Sequence, residues 1–92
     1  MKSFGEYIRR IREEKELPLR KVAAALDIDT SILSKIERNE RVATKEMIPI
    51  LAEILERPEK EIEIEFIQSV IESNLGDLKF LKDGLKEILK TL

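Results

Sequence analysis

The sequence predicts an all-α protein: a five-helix core with a helical C-terminal extension, the head being drawn at residues 1–57 and the extension at residues 58–92. Three observations predict it. Apolar residues recur at helical spacing within separate short segments. Residues that start or stop helices punctuate those segments, among them Ser3, Pro18, Asn39, Thr44 and Pro58. Within Leu19 to Arg38, two helical patterns meet across Asp27-Ile28-Asp29, a connection too short for side-by-side packing, so the chain must turn a sharp helical corner.

The first helix is expected from Phe4 to about Lys15. Ser3 and Glu6 have the spacing of a capping box, and Phe4, Tyr7, Ile8 and Ile11 form the buried stripe. Arg9, Arg10 and Arg12 lie off that stripe and read as a solvated face, with a phosphate contact open to one of them. Pro18 suits the first turn of a second helix, where its missing N–H has no partner to lose. Val22, Ala23 and Leu26 form the inner face of this helix. Ala23 supplies the small side chain that a steep crossing needs. Leu33 and Ile36 anchor the third helix, and Ile28 plugs the corner. Asp29 or Thr30 would cap the third helix and Asn39 would end it in the left-handed region. Thr44 would cap a fourth helix from Lys45 to Leu55, although Pro49 implies either a later start or a distorted first turn.

The third helix turns Thr30, Ser31, Ser34, Lys35 and Arg38 outward, with short hydrogen-bonding groups near its N-terminus and cations near its C-terminus. Those residue types suit a helix that enters a DNA major groove N-terminus first. From Ser3 to Leu55 the chain resembles the helix-turn-helix of the lambda repressor and Cro-like superfamily, often called the XRE family. The likeness rests on Ala23 in the first motif helix, Ile28 in the turn, Ser34-x-x-Glu37 in the second, and the later Leu51-Ala52-x-x-Leu55. It implies a lambda repressor-like core that binds double-stranded DNA. Two positions depart from the family. Asp27 stands where Gly is usual, a substitution that Asp tolerates in the left-handed region. Leu19 stands where Gln often contacts phosphate or a base. Asp27 and Asp29 also place negative charge beside the DNA-facing surface.

Pro58 is expected to start a further helix running from Glu59 to about Asn74. Ile64, Ile67, Ile71, Leu78, Leu81, Leu85, Ile88 and Leu92 continue a 3,4 spacing, with Asn74 out of pattern; Ile62, Phe66 and Val70 widen the stripe. Asn74-Leu75-Gly76-Asp77 divides the tail, with Asp77 as the expected cap of a last helix. Burial of this surface by a second copy is one reading, with Ile64, Ile67, Ile71, Leu78, Leu81, Leu85 and Ile88 as dimerisation residues. An intramolecular helical hairpin is the other.

Composition narrows the chemistry. The chain has no Cys and no His, which excludes disulfides, Cys nucleophiles, Ser-His-Asp triads and thiolate or imidazole metal ligands; no metal or cofactor is expected. Glu13, Glu14, Glu61, Glu63 and Glu65 look like solvated helix faces rather than an acid–base site, so no enzyme is expected. No apolar run approaches the roughly 20 residues of a membrane span, and the chain reads as cytoplasmic. The formal charge of −2 averages two unlike halves. Residues 1–45 carry 11 Lys/Arg against 8 Asp/Glu, whereas residues 46–92 carry 6 against 11. The motif lies in the basic half, as a DNA-facing head with a partner-facing tail would have it.

The leading expectation is therefore a homodimeric, sequence-specific transcriptional regulator that reads a near-palindrome. Thr30, Ser31, Ile32 and Ser34 would face base edges, Ile32 toward a thymine methyl. Arg20, Lys21, Lys35, Arg38, Arg41 and Lys45 would hold phosphates. The alternative is a protein-interaction module, such as an antitoxin or a restriction-modification adaptor, whose tail docks on a partner protein.

Overall fold

The computed structural model describes residues 3–92, and among them every regular element is helical: α1 (Phe4–Glu14), α2 (Leu19–Ala25), α3 (Thr30–Glu37), α4 (Met47–Leu55), α5 (Glu59–Leu75) and α6 (Leu81–Leu89). Ser3 caps α1 as its spacing to Glu6 predicts, its hydroxyl accepting from the Glu6 N–H at 3.2 Å. The apolar stripe of α1 shares one buried core with Val22, Ala23, Leu33 and Ile36 of the corner and with Ile48, Leu51 and Leu55 of α4. Gly5 marks the closest approach of α1 to α3. A Cβ there would stand 1.9 Å from the Ile36 carbonyl oxygen, so only glycine lets the two backbones meet.

Four helices end in the same way. After α2, the Ile28 N–H donates to the Ala23 carbonyl and the Asp27 N–H to that of Ala24, with Asp27 left-handed at φ 57°. This is the Schellman arrangement. It recurs after α3 with Asn39 (φ 63°), after α1 with Glu16 (φ 56°) and after α4 with Glu56 (φ 54°). Asp27 and Asn39 take the conformation expected from the sequence. Glu16 and Glu56 do so without any residue-type signal, because the paired carbonyls outweigh the strain of a left-handed Glu.

Three boundaries differ from expectation. Helix α4 begins at Met47, not Lys45, and Thr44 contributes only a carbonyl to a preceding turn. The later start puts Pro49 in the first turn, where its ring meets no helical carbonyl behind it. Asp77 caps nothing; residues 76–80 form turns, and α6 starts after Phe80. Asp29 does stand at the N-cap of α3, but its side chain makes no capping hydrogen bond.

The two apolar sets in α5 belong to different surfaces. Ile62 is completely buried, Phe66 meets Phe4 edge-on at 5.3 Å between ring centroids, and the Ser69 hydroxyl accepts from the Phe4 N–H at 3.2 Å. The first half of α5 thus completes the core and also satisfies one orphan donor at the start of α1. Ile64 and Ile67 point away and remain nearly half exposed. Helix α6 buries none of its residues.

Candidate nucleic-acid interface

The α2–α3 corner is held from beneath. Leu33 is fully buried, Ile36 nearly so, and Glu37 is only 4% exposed despite its charge. Arg12 explains Glu37. Its Nε and Nη2 donate to the two carboxylate oxygens of Glu37 at 2.8 and 2.9 Å, and its Nη1 donates to the Leu17 carbonyl at 2.9 Å. One guanidinium therefore joins α1, α3 and the connection into α2 with a bidentate, charge-assisted pair. Arg12 is corrected by this geometry: it is not part of a solvated face, and each of its three guanidinium nitrogens is engaged within the head. The Ser34-x-x-Glu37 pattern held the clue, since its Glu falls on the same side of the helix as Leu33 and Ile36 and needs a buried partner there.

Anchored so, α3 turns its other side to solvent. Ser31, Lys35 and Arg38 are exposed at i, i+4 and i+7, with half-buried Ser34 beside them. Thr30 is exposed at the helix start. Ile32 lies half-buried on one flank, in a shallow hollow shared with Ala24, Asp27, Ile28 and Asp29. Arg20 and Lys21 are exposed in the first turn of α2, and Arg41 and Lys45 are exposed in the connection from α3 to α4. The structure thus gathers Thr30, Ser31, Ser34, Lys35 and Arg38 on one element and places the remaining cations on the elements flanking it.

Arg38 is engaged in ways the spacing did not reveal. Its Nη1 donates to the Ser34 Oγ at 2.7 Å, and its Nε donates to Glu40 Oε2 at 2.9 Å. The hydrogen bond from Arg38, with its charge, holds the Glu40 carboxyl below the ordinary carboxylate value. Arg38 is thereby held beside a short hydroxyl-bearing residue of the outward face, its charge partly balanced by a neighbour exposed to water.

At the back of the head, Tyr7 donates a hydrogen bond to Glu61 of α5. Burial first, and that hydrogen bond second, raise the Tyr7 phenol well above its usual value of 10.0. This contact fastens α5 to α1 and lies apart from the outward face of α3.

The groups expected to dimerise are distributed unevenly. Ile64, Ile67, Leu78 and Ile88 are exposed, whereas Ile71, Leu81 and Leu85 are partly covered. Leu75, Leu78, Leu81, Leu85 and Ile88 line one apolar groove where α5 gives way to α6.

Among the described residues no group of His, Cys, Asp and Glu is placed to hold a metal ion, and no helix is long and apolar enough to cross a membrane. A family model described as helix-turn-helix matches residues 8–62, which run from the buried stripe of α1 to the first turn of α5. No curated protein and no solved structure matches the chain.

Proposed function

Since the chain belongs to the XRE-type helix-turn-helix family, whose members are DNA-binding regulators, we propose that it reads a near-palindromic operator as a homodimer, with α3 in the major groove. Thr30, Ser31 and Ser34 face base edges, and Ile32 lies toward a thymine methyl. Lys35, Arg38, Arg41 and Lys45 contact phosphates beside the groove, and Arg20 and Lys21 contact the backbone from the start of α2. Arg38 exchanges Glu40 for a phosphate and continues to position Ser34.

The observation that carries the reading is the two-sidedness of α3. Leu33, Ile36 and Glu37 fix it to the head, while Ser31, Lys35 and Arg38 remain exposed in a row. A helix needs both properties if its outward side chains are to reach base edges at a defined register. Apart from Arg38, these groups have no structural partner that their exposure would serve.

The test is a Ser34→Ala, Lys35→Ala double variant assayed on an operator selected by the parent chain. The expected loss is about 10- to 100-fold, with the salt dependence reduced by about one phosphate contact. Parent-like affinity in the double variant would overturn the assignment of α3. Both positions lie off the core, so the variant is expected to keep the parent's melting temperature.

A further inference from the structure

Among the described residues, ten large apolar side chains remain exposed, and eight of them lie between Ile64 and Leu92. They form two stripes. On α5, Ile64, Ile67 and Leu75 lie opposite the face that carries Ile62 and Phe66 into the core, at 45%, 47% and 40% exposure. On α6 and the turn before it, Leu78, Phe80, Ile88 and Leu89 are all more than half exposed. A nine-residue helix is not stable in water on its own propensity, so α6 needs an apolar surface to lie on. Its own α5 meets it only at the groove that Leu75 shares with Leu81 and Leu85, and the α5 stripe at Ile64 and Ile67 stays open.

Charge identifies the surface that fits. Helix α5 carries Glu59, Glu61, Glu63, Glu65 and Glu72 against Lys60, and exposed Glu63 and Glu72 flank its outward stripe. Helix α6 carries Lys82 and Lys86 against Asp83 and Glu87, but the two lysines border its apolar stripe beside Leu85 and Leu89 while the two acids lie on the opposite side. None of Glu63, Glu72, Lys82 and Lys86 forms an ion pair among the described residues. An acidic-edged apolar helix and a basic-edged apolar helix are thus displayed by one chain and left unmatched within it.

We propose that a second copy of this chain covers both stripes, α6 of each copy lying along the outward face of the other copy's α5. This rests on the dimeric reading above and specifies its interface. A two-fold operation forms both contacts at once, because each copy contributes one stripe of each kind. The 17 residues of α5 span about 26 Å, ample for the nine of α6. Antiparallel packing of α6 on α6 would instead set lysine edge against lysine edge.

Sedimentation of the chain without DNA tests the proposal. The parent is expected to be dimeric in the micromolar range. Lys82→Glu with Lys86→Glu should weaken the dimer about tenfold, and adding Glu63→Lys with Glu72→Lys should restore it. The head's unfolding transition, followed by circular dichroism, should be the same in all of these, since Glu63, Glu72, Lys82 and Lys86 are all exposed and off the core. A parent dimer that is indifferent to the lysine reversals, or that the glutamate reversals fail to rescue, would overturn this interface and leave the dimeric reading standing. A parent monomeric at high micromolar concentration would overturn both.

Discussion

Arg12 donates to both carboxylate oxygens of Glu37 and to the Leu17 carbonyl, and Glu37 lies almost entirely out of water. Removing one member of such a pair leaves the other charge buried and uncompensated, which costs about 3–5 kcal/mol. Glu37→Ala should accordingly lower the stability measured by urea unfolding by about that amount. The double change Arg12→Met, Glu37→Leu should cost clearly less, because no charge is then stranded. Equal losses in the two variants would refute the assignment of the pair as the tie between α1 and α3. Tyr7 gives a second expectation at this scale, in alkali. The folded state raises the phenol above its unfolded value of 10.0, so folded protein binds that proton more tightly. Its stabilising contribution is fully present below pH 10 and declines as pH rises beyond it. The stability of Tyr7→Phe should fall less steeply than the parent's above about pH 10, as thermal unfolding across that range would reveal. Neither contact was legible from spacing alone: Arg12 sits among Arg9 and Arg10 on a charged segment, and Tyr7 and Glu61 are 54 residues apart.

At the scale of elements, sequence and structure agree where one residue type has one physical meaning. Ser3 with Glu6, Pro18, Asn39 and Pro58 each mark a helix end, and each stands where the chain changes direction. They diverge where a local signal competes with another. Thr44 is a good cap, but Pro49 sets the start of α4. Asp77 is a good cap, but its neighbours remain in turns. Glu16 and Glu56 carry no turn signal at all, yet each closes a Schellman motif. A left-handed non-glycine residue costs about 1–2 kcal/mol, part of which Gly returns as unfolded-state entropy. Glu16→Gly is therefore expected to stabilise the fold by about 0.5–1 kcal/mol, raising the midpoint of chemical unfolding; a lowered midpoint would contradict that reading of the α1 end. Periodicity likewise indicated an apolar tail but could not divide it. Both α5 sets repeat at helical spacing, and only the docking of α5 on α1 decides that Ile62 and Phe66 face the core while Ile64 and Ile67 face outward.

The whole molecule is a basic, tightly tied head continued by an acidic helix and a short one whose charges balance. The uneven charge of the two halves was visible in the sequence, and the structure refines it: within the tail, the excess negative charge belongs to α5, whereas the segment after Gly76 is close to balance, with four Lys against Asp77, Asp83 and Glu87. The head's corner could be read from Ala23, Ile28, Leu33 and Ile36, because close packing restricts those positions to small or apolar residues. The outward residues of α3 could be placed but not ranked, since an exposed serine or lysine carries no packing constraint to distinguish a base contact from plain solvation. Salt dependence and sequence preference discriminate these, as only base readout varies with the sequence of the duplex. The central claim, that two copies of α3 read DNA at a fixed spacing, is tested most directly by letting the chain select bound sites from a pool of random duplexes. The account predicts enrichment of an inverted repeat whose half-site centres lie about 10 base pairs apart, or a multiple of that. A pool recovered without enrichment would contradict it.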